Sequence, residues 1–100
     1  MSRPLIVRSI AEQDLVAGHQ YYESVSPDLG VAFVMRVDDA INAIALAPEG
    51  FRKRHREFRM LVLKQFPYGV FYLSDGRMIS IVAILPLMRE PAVIRNLLGR

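Results

Sequence analysis

Along the 100 residues the spacing of apolar positions changes character once, near Gly50. Before it, apolar residues recur at helical intervals. After it, they come in short runs bounded by turn residues. The chain opens on Leu5-Ile6-Val7, a short and mostly β-branched run that predicts a strand. From Ser9 onward, small or apolar residues fall at Ala11, Leu15, Gly18, Tyr22 and Val25, steps of 4, 3, 4 and 3 that trace one helix face. Ser9 to Glu12 has the form of a capping box: the Ser9 hydroxyl takes an orphan amide and Glu12 reaches back to the cap. Ser26-Pro27 restarts the pattern, with Ser26 as a cap and Pro27 at the first helical position, where its missing N–H costs nothing. Phe33, Val37, Ala40, Ile44 and Ala47 form the second face; Ile41 widens it, and Pro48 and Gly50 end it. Two helices joined this tightly predict an antiparallel αα-hairpin.

Residues 51–57, Phe-Arg-Lys-Arg-His-Arg-Glu, read as a basic loop. Phe58–Lys64 reads as a strand with Met60 and Val62 on one face and Arg59 on the other. Tyr68–Leu73 is a second strand, and Asp75-Gly76 is a tight-turn signal that closes a hairpin with a third, Met78–Leu85. That third run is apolar on both faces except at Ser80, so it belongs in the interior of a sheet. The predicted order is β-α-α-β-β-β: an α+β domain, residues 1–100, with the helical hairpin packed on a mostly antiparallel sheet of about four strands.

Composition narrows the chemistry. Hydrophobic residues make up 52% and charged residues 23%, which suits one folded domain of this length. There is no cysteine, so disulfides, thiolate nucleophiles and cysteine zinc sites are excluded. The longest apolar runs are five residues, against the roughly 20 that a membrane span needs. No signal peptide is read at the start, and the expected location is the cytoplasm. Charge is divided unevenly. Residues 1–50 carry three arginines against seven acids, a net −4; residues 51–100 carry ten Lys or Arg against three acids, a net +7. Eleven of the thirteen basic residues are Arg, which grips carboxylates and phosphates with a two-pronged fork. A basic half of this kind suggests an anionic partner, nucleic acid or an acidic protein segment; a solvated Arg-rich face is the alternative.

No standard catalytic or cofactor motif is present, and no cofactor is expected. The six glycines are scattered and form no phosphate-cradling loop. Asp38 and Asp39 are adjacent on a helix and point apart, so they are not a paired-carboxylate site. His19 reads as a helix histidine and His55 as a loop histidine among positive charges. The candidate binding residues are basic: Arg52, Lys53, Arg54, Arg56, Arg59 and Lys64 run from the loop into the first strand of the meander, and Arg89 follows the last strand. If the strand ends and the feeding loop converge, these side chains would line a face suited to a phosphodiester backbone.

The run Lys64-Gln-Phe-Pro-Tyr-Gly-Val-Phe-Tyr72 resembles a segment of the RelE/ParE toxin superfamily. Tyr21-Tyr22-Glu23, then Pro27-Asp28-Leu29-Gly30 and Phe33, resemble its helical part; Pro48, Ile81–Leu85 and Arg89-Glu90-Pro91 follow in family order. The resemblance spans about residues 5–95 and implies the same element order as the periodicity. It implies the toxin of a bacterial type II toxin–antitoxin module, neutralised by a small cognate antitoxin. RelE-like members cleave mRNA on the ribosome, using basic residues near the sheet and often a C-terminal Tyr; ParE-like members poison DNA gyrase. By that resemblance Lys53, Arg54, Arg59, Lys64 and Arg89 would hold the target or its phosphate. In two places the chain departs from the pattern: Pro86 stands where the family has His after the last strand, and no Tyr follows Pro91. Both changes remove proton-transfer groups, and Arg is a poor general base. The expectation is therefore a ParE-like toxin acting on gyrase, with a ribosome-dependent mRNA endonuclease and a non-toxic interaction module as the alternatives.

Overall fold

The computed structural model describes residues 3–100. Its elements are β1 (Leu5–Val7), α1 (Ser9–Val25), α2 (Leu29–Leu46), β2 (Lys53–His55), β3 (Phe58–Val62), β4 (Tyr68–Ser74), β5 (Ile79–Pro86) and α3 (Pro91–Leu98). The five strands lie in the order β1-β5-β4-β3-β2. β1 runs parallel to β5, and every other pairing is antiparallel. The α+β architecture predicted from periodicity is present. As expected, β5 is an interior strand, buried from Ile79 through Leu85 with Ser80 included. No helix among the described residues is long and apolar enough to cross a membrane.

The α1–α2 hairpin covers one face of the sheet. Ala11, Phe33, Val37 and Ile44 from the helices meet Val70, Tyr72, Ile79, Ile81 and Ile84 from β4 and β5. The other face carries a second apolar cluster, in which Ile94 and Leu98 of α3 pack on Phe71, Val82, Ala83 and Leu85. The molecule is thus layered helices, sheet and helix.

Several local expectations are corrected. Ser9 and Glu12 form no capping box; α1 has Arg8 at its cap position, without a side-chain cap. Strand pairing decides this, because the Arg8 amide donates to Ile81 O at 3.0 Å while its carbonyl accepts the Glu12 amide. Pro27 is not the first residue of α2, which begins at Leu29 after Asp28 takes a left-handed φ of 69°. The cap comes from the preceding helix: the Glu23 carboxylate accepts the amides of Gly30 at 2.9 Å and Asp28 at 3.2 Å. The basic loop contains a short fifth strand, β2, paired with β3. β3 stops at Val62 because the chain turns there, with Gln65 at φ 72° and the Leu63 amide on Tyr68 O. The residues after Pro91 form a helix absent from the expected order; Pro91 at its start and the Ile94–Leu98 spacing are its signals. The Asp75 turn is present. No glycine takes a positive φ, and the Asp75 carboxylate makes the turn by accepting the amides of Arg77 and Met78.

Candidate interaction surfaces

The five basic residues assigned to the target or its phosphate lie at three places. Lys53 on β2 is in register with Arg59 on β3, and Arg54 is exposed beside them. Lys53 Nζ is 3.2 Å from Glu57. Arg59 donates from Nη1 to Phe51 O at 2.7 Å and more weakly to Glu49 O at 3.4 Å, so it ties down the segment between α2 and β2. Lys64 is exposed just beyond β3, and Arg89 is exposed in the turn between β5 and α3. Arg59 aligns with Tyr72 on β4, whereas Arg89 follows the strand end that pairs with Tyr68. Four residues of strand separate those two positions, about 13 Å.

Lys64 borders an open groove of about 350 Å³ between α2 and β3. Ala40 and Ala43, nearly one turn apart on α2, keep the helix surface low, and Phe51, Leu61 and Leu63 supply the rest of an apolar floor. The rim is charged. Arg36 donates from Nε to Gln65 Oε1 at 2.9 Å and lies 3.5 Å from Asp39. Nothing in the sequence pattern pointed to this groove, because it exists only where α2 and β3 diverge.

Half of the residues that carry the family resemblance are buried in the core. Phe33 packs against Tyr22, Phe66 and Tyr68 with ring centroids 4.8–5.4 Å apart. Gly18 permits this, since a Cβ there would stand 2.5 Å from the Phe33 ring. Tyr72, fully buried, donates from its hydroxyl to Pro48 O at 2.7 Å and fastens the end of α2 to the sheet. Burial raises the phenol pKa of Tyr22, Tyr68 and Tyr72 above its ordinary value, with Arg89 partly opposing the effect at Tyr68 and Arg59 at Tyr72. These phenols are therefore protonated at neutral pH and present hydroxyl donors. At the Pro86 position the chain offers only backbone, and the Leu87 amide donates to Pro67 O. Arg89, exposed in the turn after β5 and close enough to Tyr68 to oppose the rise of its phenol pKa, is free to meet an anion.

No family model matches the chain. Toxin ParE2 of Mycobacterium tuberculosis, from strains CDC 1551 / Oshkosh and ATCC 25618 / H37Rv, is 31% identical to it over 102 aligned positions, covering 100% of this chain and 97% of the relative. Among solved structures, a chain of the chromosomal ParDE TA system from P. aeruginosa superposes with a TM-score of 0.75 at 19% identity, over 85% of this chain and 96% of that one. At that identity the likeness speaks to fold alone.

Proposed function

The chain belongs to the ParE toxin family, and from that premise we propose that it acts by binding: it stops an essential target, DNA gyrase, and a cognate antitoxin holds it inactive. One observation carries this reading over the nuclease alternative. The scaffold is present, but Pro86 stands where the RelE pattern has His and α3 carries no Tyr, so two of the proton-transfer groups that chemistry relies on are missing. Cleaving RNA through its 2′-hydroxyl needs one group to take a proton and another to give one. Binding a protein surface needs neither.

The antitoxin is proposed to seat an apolar segment in the α2–β3 groove, with an acidic stretch meeting Arg36 and Lys64 at the rim. Lys53, Arg54, Arg59, Lys64 and Arg89 are proposed to serve the target contact, Arg89 foremost. The extended Glu90 before Pro91 sets the direction in which the backbone leaves Arg89. The basic residues also support a second reading, in which they hold the phosphates of ribosome-bound mRNA.

Growth arrest on induction, reversed by the product of a neighbouring small gene, establishes the toxin class. A gyrase supercoiling assay run beside mRNA cleavage with and without ribosomes decides the target: inhibited supercoiling and intact mRNA are expected, and ribosome-dependent cleavage would replace this reading with the second. Arg89→Ala and Arg89→Lys should both lose toxicity while remaining folded and antitoxin-bound. Full toxicity in Arg89→Ala removes Arg89 from the site.

A further inference from the structure

A second pocket, about 300 Å³, opens between the β2–β3 turn and the last turns of α3. His55 and Arg56 come from the turn, and Arg95 and Asn96 from the helix; Phe58 and Leu98 form the apolar floor. No acid lines it, in contrast to the α2–β3 groove, where Asp39 stands beside Arg36. Neither Arg56 nor Arg95 takes part in an ion pair among the described residues. Two arginines from elements far apart in sequence thus line one small cavity, with Asn96 beside them.

The backbone adds a second observation. His55 pairs with Phe58 across a two-residue turn, Arg56-Glu57, and Arg56 sits at φ 50°. A two-residue hairpin turn with positive φ at its first central position favours glycine. An arginine there bears a strain of about 1–3 kcal/mol, and this residue lines the pocket. The ring surfaces supply a third. Half-buried Phe58 lies on the floor, and the His55 ring is held 6.0 Å from that of Phe71. A flat apolar group can rest on such rings while guanidinium forks hold an anion attached to it.

We propose that this pocket binds a nucleotide, as a free nucleoside phosphate or as one unit of a single strand. Arg56 and Arg95 hold the phosphate, Phe58 and His55 support the base, and Asn96 hydrogen-bonds its edge. Of the basic residues read as candidates from the sequence, Arg56 alone lines this cavity; Lys53, Arg54, Arg59, Lys64 and Arg89, proposed above for the target contact, do not.

Binding of 5′-AMP, inorganic phosphate, the single-stranded hexamer (rA)6 and a hexaglutamate peptide to the full chain, each followed by calorimetry and by the NMR signals of His55 and Phe58, tests it. AMP should bind at least tenfold more tightly than inorganic phosphate and shift both ring signals. Arg95→Gln and Arg56→Gly should each weaken AMP at least tenfold. Arg56→Gly relieves the left-handed residue, so its folding should be unimpaired and its loss of binding cannot be attributed to unfolding. Tighter binding of (rA)6 than of AMP assigns the site to a strand, and equal binding assigns it to a free nucleotide. The proposal is overturned if AMP and (rA)6 fail to bind, if inorganic phosphate or hexaglutamate binds as well as they do, or if both variants bind AMP like the parent.

Discussion

On one face of the sheet lie helices of 17 and 18 residues; on the other lies a helix of eight. The long helices bury Phe33, Val37 and Ile44 completely against β4 and β5, and the opening on this face is the apolar groove where α2 meets β3. The short helix reaches Phe71, Val82, Ala83 and Leu85 with Ile94 and Leu98, and leaves the β2–β3 end of its face open. Both faces are apolar where they are covered. The difference lies in reach: an eight-residue helix spans about 12 Å, shorter than the sheet it covers, so polar side chains from the turn and the helix end fill the remainder. Stability is therefore expected to reside chiefly in the hairpin face, and the open polar end of the α3 face is free for binding.

The largest effect should come from the hairpin face. Phe33→Ala removes a fully buried ring that three other aromatic residues contact. It should cost about 3–5 kcal/mol, read as a shift in the urea midpoint and as loss of hydrogen-exchange protection throughout β4 and β5. Ile94→Ala on the other face should cost about 2 kcal/mol, the lower end for such a change, because a terminal helix relaxes easily. Protection should be lost in α3 and retained in β4. Equal, global loss in both variants would erase the contrast.

A contact that bridges the layers sharpens the comparison. Asp14 of α1 accepts the Ile84 amide at 3.0 Å and pairs with Arg100 beyond α3. Asp14→Ala leaves a strand amide without its partner and should cost about 1–3 kcal/mol. Arg100→Gln removes only the outer half and should cost about 1 kcal/mol or less. A double-mutant cycle measures how far α1 and α3 are coupled.

Tyr68 and Tyr72, both on the hairpin face, predict a pH dependence. Burial holds their phenols protonated above the ordinary 10.0. The unfolded chain therefore releases these protons first, so stability is full below pH 10 and falls as pH rises through the folded values. The urea midpoint should drop as pH rises above 10. Tyr72→Phe should flatten part of that drop, while costing about 1 kcal/mol at neutral pH for the lost bond to Pro48 O. An unchanged alkaline profile would show that the phenol of Tyr72 is not the titrating group.

Periodicity alone determined the two long helices, their joining as a hairpin, the interior position of β5 and the change to strands after Gly50. An apolar stripe encodes which face is buried, and that holds whatever the partner is. The ordered motifs from Tyr21 to Pro91 likewise carried the family, because they include core residues such as Phe33, Phe66 and Tyr68 that the fold cannot replace freely. What only the tertiary structure decided are the features whose partners lie far away in the chain. α1 begins where Arg8 finds Ile81, α2 is capped by Glu23 of the preceding helix, and Arg59 is held by the Phe51 carbonyl. The short elements β2 and α3 exist because β3 and the second sheet face give them something to pack on, and three or eight residues are too few to hold a structure alone. The pocket between them inherits this. Arg56 and Arg95 are 39 residues apart in sequence, and only the docking of α3 on the sheet makes them neighbours.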